Sequence, residues 1–193
     1  MAETPSDSLT FGYADPPYIG QAEKHYSEDP ACAEVDHVQL IRRLNKEFPS
    51  GWALSFSSVS FGQLVASVAV AHGLSLEDLL KDGLPPGYRV ASWVKPFSSF
   101  KVNVNPAYAW EPVLFKGGRK RGRELPTIRD WVSENITTGR GTHGAKPRGF
   151  CIWVFQMLGA RRGDQLVDLY PGSGAVMKAW GSYVSPVGVE VPA

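Results

Sequence analysis

Surplus charge is nearly absent from this chain: 20 Lys and Arg stand against 19 Asp and Glu, a net +1. Bulk charge therefore announces no polyanionic partner, and any contact with nucleic acid must rest on a local cluster. Cysteine is scarce. Cys32 and Cys151 lie far apart and show no metal-ligand spacing, so no metal site is expected and two reduced thiols in a cytoplasmic setting are. No apolar run approaches the roughly 18 residues of a membrane span, so no membrane contact is expected. The start, Met1 to Thr10, has neither a basic segment nor an apolar one, which argues against a signal peptide. Internal repeats and low-complexity tracts are missing as well.

What is present suits a packed domain. Apolar residues make up 43% and aromatics 11% of 193 residues, enough for a core and for a single domain over 1–193. Leu9–Ala14 reads as a strand that stops at Asp15-Pro16-Pro17-Tyr18, because two prolines cannot continue a ladder. Residues 19–34 read as a long surface loop of a length that is often functional; His25 and Tyr26 within it are either solvated side chains or contacts to a substrate. Val35, Val38, Ile41, Leu44 and Phe48 fall at helical spacing. Trp52–Phe56 alternates as a strand, and Phe61–Ala71 reads as a mostly buried helix. A further turn at Leu76–Leu80 has Ser75 as cap and Asp78 completing a capping box. Tyr88–Val94 and Trp110–Phe115 read as strands, Ile128–Val132 as a short helical piece, and Arg148–Leu158 as a buried helix beginning after Pro147. Gln165–Tyr170 reads as a strand, Pro171-Gly172-Ser173-Gly174 as a tight turn into a short helix ending at Trp180, and Val187–Val191 as a last strand. Strands alternating with helices predict an α/β fold with a mainly parallel sheet and helices on both faces, where ligands bind at the carboxyl ends of strands.

Two motifs sit at such ends. Asp15-Pro16-Pro17-Tyr18 sets a carboxylate, a carbonyl whose neighbouring proline nitrogen carries no hydrogen, and an aromatic ring within four residues. A planar amino group needs acceptors for its two hydrogens; Asp15 and the Pro16 carbonyl supply them, and Tyr18 can stack on a base. The plain alternative is an acidic strand end. Asp168-Leu169-Tyr170-Pro171-Gly172-Ser173-Gly174 runs from a strand into a glycine turn and a helix, whose free N–H groups suit a carboxylate or phosphate. No Gly-Lys-Ser/Thr follows, which excludes a P-loop, and the three-glycine dinucleotide spacing is missing. By itself this segment is equally a bare strand-to-helix turn.

Together the two elements resemble the catalytic and cofactor motifs of the amino-methyltransferases, in the circularly permuted order of their beta class. Trp93-Val94-Lys95, Trp110-Glu111-Pro112-Val113-Leu114-Phe115 and Lys146-Pro147 resemble further elements of that class in the same order. The resemblance covers about residues 9–181 and is strongest to the short methylases of actinobacterial phages and prophages. It implies a Rossmann-like methyltransferase fold, S-adenosylmethionine as cofactor, no metal, and methylation of an exocyclic amino group, adenine N6 in DNA before cytosine N4. It implies that Asp15, Pro16, Pro17 and Tyr18 act on a base flipped out of the helix. Asp168 through Gly174, with Lys146 and Pro147, would hold the cofactor. Glu190 would take its ribose hydroxyls, unless it belongs to a frayed tail.

The stretch Lys116-Gly117-Gly118-Arg119-Lys120-Arg121-Gly122-Arg123 carries five cations in eight residues. Read alone it is a solvated loop. In the class it resembles, 116–145 fills the place of the target-recognition segment, which makes Lys116, Arg119, Lys120, Arg121 and Arg123 the expected phosphate contacts. The interval is short, so weak specificity or help from a second subunit, as in a homodimer, is expected. An RNA or protein-amide methyltransferase and an inactive nucleic-acid-binding relative are the rival readings.

Overall fold

Short, nearly continuous runs of β-prone apolar residues produce one sheet buried on both faces. The computed structural model describes residues 8–18, 34–97, 102–137 and 144–185. Among these the strands are β1 (Thr10–Ala14), β2 (Gly51–Ser55), β3 (Tyr88–Val94), β4 (Trp110–Gly117), β5 (Trp131–Ser133) and β6 (Gln165–Asp168). They join in the order β5-β3-β4-β2-β1-β6. β1 pairs parallel with β2 and β6, and β3 parallel with β5, while β4 runs antiparallel to both β2 and β3. Only β4 opposes the common direction, so the sheet is mainly parallel, as expected.

Among the described residues five α-helices flank it: α1 (His37–Glu47), α2 (Phe61–His72), α3 (Leu76–Asp82), α4 (Arg148–Met157) and α5 (Ala175–Val184). Asp36 caps α1 by accepting from the Gln39 N–H, and Ser75 with Asp78 forms the capping box of α3. Such caps satisfy N–H groups that the first turn leaves without partners. On one face Leu40, Ile41 and Leu44 of α1 and Leu64 and Val68 of α2 pack against Trp52, Leu54 and Leu114. On the other, Phe150, Val154 and Phe155 of α4 and Val176 and Trp180 of α5 pack against Phe11, Tyr13, Val113 and Phe115. Each side chain of that size contributes about 1.5–3 kcal/mol when fully buried. Gly12 has no room to be larger: a Cβ there would lie 2.5 Å from the Phe48 ring.

Three local expectations change. The helical piece at Ile128–Val132 is not formed. Trp131–Ser133 instead lies along β3 as the edge strand β5, since Trp and Val are good strand formers and an open sheet edge offers them partners. β6 ends at Asp168 rather than Tyr170, because the Tyr170 N–H turns back to the Asp168 carboxylate at 3.1 Å and diverts the chain from the ladder. The last helix runs on past Trp180 to Val184. The proposed strand Val187–Val191 and most of the loop after Tyr18, with His25 and Tyr26, lie outside the described residues.

Candidate active site

The site follows from the β1–β6 pairing. Tyr13 is in register with Asp168, and the Leu169 N–H donates to the Tyr13 carbonyl at 2.9 Å. The segments that leave these two strands, Asp15–Tyr18 and Leu169–Gly174, therefore begin side by side at one end of the sheet.

Around Asp15 the buried charges are shared. Lys146 Nζ lies 3.0 Å from Asp15 Oδ1 and 3.1 Å from Glu111 Oε2, and donates to the Tyr18 hydroxyl at 3.2 Å. Tyr18 in turn donates to Glu111 Oε2 at 2.6 Å, and Lys95 closes on Glu111 Oε1. The Lys146 ammonium also sits 5.4 Å from the Trp93 ring centroid and 5.7 Å from that of Tyr18, a favourable place for a cation. Burial raises the Asp15 pKa, and the nearby Lys146 charge opposes that rise. Burial also pushes Glu111 up, but Lys146 and Lys95 more than reverse it, leaving its pKa below the usual carboxylate range. Burial disfavours the Lys146 cation, yet Asp15, Tyr18 and Glu111 together raise its pKa well above normal. Lys146 thus stays charged and holds the group together. Pro147 stands at the N-terminus of α4 in extended conformation, so the helix start delivers Lys146 inward.

Beside this network lies a carboxylate with a vacant acceptor. Asp168 Oδ1 accepts from the Tyr170 N–H, while its buried Oδ2 has no hydrogen-bond partner among the described residues. Burial pushes the Asp168 pKa up to about 6; the Tyr170 N–H opposes that and the Asp15 charge adds to it. A buried acceptor without a donor costs free energy, and an incoming ammonium would relieve it. After Asp168 the chain turns through Pro171, Gly172 and Ser173, which are exposed. Gly174 caps α5 at φ 73°, a left-handed geometry that glycine adopts without strain. A carboxylate acceptor followed by an open glycine turn at a helix N-terminus fits the ammonium and carboxylate of an amino acid.

No family model and no curated protein sequence matches the chain. Solved structures do. The chain is similar to M1.HpyAVI solved as a complex with SAM, with a TM-score of 0.54 and 13% identity, over 92% of this chain and 79% of that one. A second crystal structure of M1.HpyAVI gives a TM-score of 0.53 and 12% identity, over 92% of this chain and 77% of that one. The chain has a Rossmann-like methyltransferase fold.

Within that fold the structure brings Asp15, Tyr18 and Lys146 into contact and sets Asp168 and its turn beside them. It does not bring the basic run there. β4 is antiparallel to β2, so Trp110 and Glu111 stand at the Asp15 end and Lys116 at the opposite one. The five cations also differ in kind. Lys116 lies within β4, donating to Asn45 Oδ1 at 2.9 Å and facing the Tyr88 ring. Arg119 is ion-paired to Asp164 at 2.6 Å. Lys120, Arg121 and Arg123 are exposed. Of the interval 116–145, Lys116 and Gly117 belong to β4 and Trp131–Ser133 forms β5. Glu190 lies outside the described residues.

Glu111 and Lys95 are the site residues that reading the sequence missed. Their motifs were legible, their roles were not. The available signal was a pair of opposite charges at the adjoining ends of two consecutive strands, Trp93 being in register with Glu111.

Proposed function

We propose that the chain is an S-adenosylmethionine-dependent methyltransferase acting on an exocyclic amino group of a nucleic-acid base, with adenine N6 in DNA the foremost target. The observation that carries this reading is the meeting of the Asp15 network with the partnerless buried oxygen of Asp168. A neighbour of the same fold is described with SAM, which supports the cofactor.

In this reading Asp168 Oδ2 accepts from the cofactor's ammonium, and the turn through Gly174 receives its carboxylate at the start of α5. When bound, the cofactor supplies an activated methyl on a sulfonium sulfur. Asp15 and the Pro16 carbonyl accept from the two amino hydrogens of the base and aim its nitrogen, so positioning does most of the work. As that nitrogen gains positive charge, the Asp15 carboxylate stabilises it, and then stands as an acceptor for the departing proton. The Lys146 cation, 3.0 Å away, opposes the effect of burial on Asp15 and favours its carboxylate form. Tyr18, tied through its hydroxyl to Glu111, holds its ring in place for stacking on the base.

The test is chemical. DNA and RNA from cells expressing the chain are digested and analysed by mass spectrometry for N6-methyladenine and N4-methylcytosine, with Asp15→Ala as control. A mark that depends on Asp15 supports the reading, and its identity selects adenine or cytosine, DNA or RNA. No mark in either polymer, together with no thermal stabilisation by S-adenosylmethionine, overturns it.

A further inference from the structure

A cavity of about 480 Å³ opens at the end of the sheet away from Asp15, lined by the start of β3, the end of β4, residues of the segment 119–130 and the last turn of α4. Arg89, Arg119, Arg121, Arg123 and Arg129 line it, and Asp130 is its one lining acid. That is a strong local concentration in a chain of net charge +1. Four of these arginines are held in place by the fold. Arg119 pairs with Asp164, and its backbone N–H donates to Leu158 at 2.9 Å. The Arg89 guanidinium lies over the Phe115 ring at 5.5 Å, and that of Arg129 over Trp131 at 5.3 Å. Arg121 donates its Nε–H to the Pro126 carbonyl at 2.8 Å. Even counting Asp130, Asp164 and Glu124, which folds back over Gly122, guanidinium is in excess.

We infer that this cavity binds backbone phosphates of the nucleic acid whose base is presented at Asp15. This deepens the proposed function and rests on its choice of nucleic acid as substrate. Guanidinium forks match the paired oxygens of a phosphodiester, and arginines backed by rings or carbonyls lose little freedom on binding. Cations already held in place also favour a fixed contact over a loose electrostatic tail. The spacing suits a flanking contact. Four residue steps of β4, from Glu111 to the cavity-lining Phe115, span about 14 Å, or about four base-pair steps of a duplex. The arginines would therefore touch phosphates beside the target, fixing register without reading sequence.

The experiment uses the full chain, a labelled DNA duplex of about 20 base pairs and an RNA of equal length, with affinity followed against salt concentration. The double variant Arg121→Gln/Arg123→Gln is expected to bind about tenfold more weakly near 0.1 M salt, with the slope of log affinity against log salt smaller by about two. Asp130→Asn, which removes the lining acid, is expected to bind more tightly. Thermal stabilisation by S-adenosylmethionine should be the same in both variants as in the parent, which reports an intact fold. Loss with either polymer supports the site and shows which one it takes. Unchanged affinity and slope with both polymers, or no binding of either by the parent, overturns it. If the cofactor fails to stabilise the parent while the arginine variants still lose affinity, the phosphate site stands and the methyltransferase reading falls.

Discussion

Tyr13 and Asp168 face each other across the β1–β6 pair. That one pairing joins the two ends of the chain. It sets Asp15, two residues beyond Tyr13, close enough to Asp168 for the charge of one carboxylate to raise the pKa of the other. Two acids brought together this way, with Lys146 bonded to only one of them, leave the second short of a cation.

Asp168→Asn should abolish stabilisation by S-adenosylmethionine while making the free protein more stable at pH 8. The folded pKa of about 6 lies above the unfolded value of about 3.9. The folded state therefore holds the proton more tightly, and as pH rises through that window the native protein loses stability. The neutral amide escapes this loss. After allowance for partial exposure the gain is on the order of 1 kcal/mol, or about 2–4 °C in Tm, and it should vanish below pH 4. Thermal melts at pH 4, 6 and 8 check the sign.

The same group makes cofactor affinity pH-dependent. An ammonium pairs with ionised Asp168, so affinity should fall as pH drops below about 6. Binding near pH 6 should release protons, which titration calorimetry in buffers of different ionisation enthalpy would detect.

Lys146→Met should be the most damaging single change in the site. It leaves Asp15 and Glu111 buried without their shared cation, at a cost of about 3 kcal/mol near pH 7. In the parent the lowered pKa of Glu111 gives stability that is present above its unfolded value and lost as pH falls through the folded one. Without Lys146 the Asp15 pKa, already raised by burial, rises further, and Glu111 keeps only Lys95, so the variant should gain stability relative to the parent between pH 7 and pH 5. Urea denaturation at both pH values measures this; a deficit that does not change with pH would refute the charge argument.

Asp15→Asn should lower the rate of methyl transfer by about 100-fold, since it removes the carboxylate that faces the developing positive charge. Cofactor affinity should hold or improve, because Asp168 loses a repelling neighbour. A parallel loss of cofactor binding would mean that Asp15 acts on the fold rather than on the base.

Tyr18→Phe and Tyr18→Ala should separate tether from stack. Phenylalanine loses the 2.6 Å bond to Glu111 but keeps the ring, and should reduce kcat/KM by about tenfold or less. Alanine also loses stacking worth about 1–3 kcal/mol per base, expected mainly in KM for the nucleic acid. Steady-state kinetics of the two variants make the comparison.

Much of this was legible in the sequence because it is decided locally. Two prolines had to end β1 at Asp15. Ser75 and Asp78 had to cap α3. The β-branched and aromatic residues of Tyr88–Val94 and Trp110–Phe115 favoured strands, and a glycine turn had to open the last helix. The functional motifs lay where local rules end strands, so they were readable as candidate ligand positions before any coordinates.

Pairing between strands carries no such local signature, because it is selected by contacts between segments distant in the chain. Only the tertiary structure decided that β4 runs against its neighbours, and this one reversal set Glu111 between Lys146 and Lys95 and sent the basic run from Lys116 to the opposite end of the sheet. Only the open edge of β3 decided that Trp131–Ser133 would be a strand rather than a helical turn. The order of residues set which chemical groups were available and where each strand stopped. Packing of the whole chain set which of them share a site, since a buried charge must find its partner in space and not in sequence.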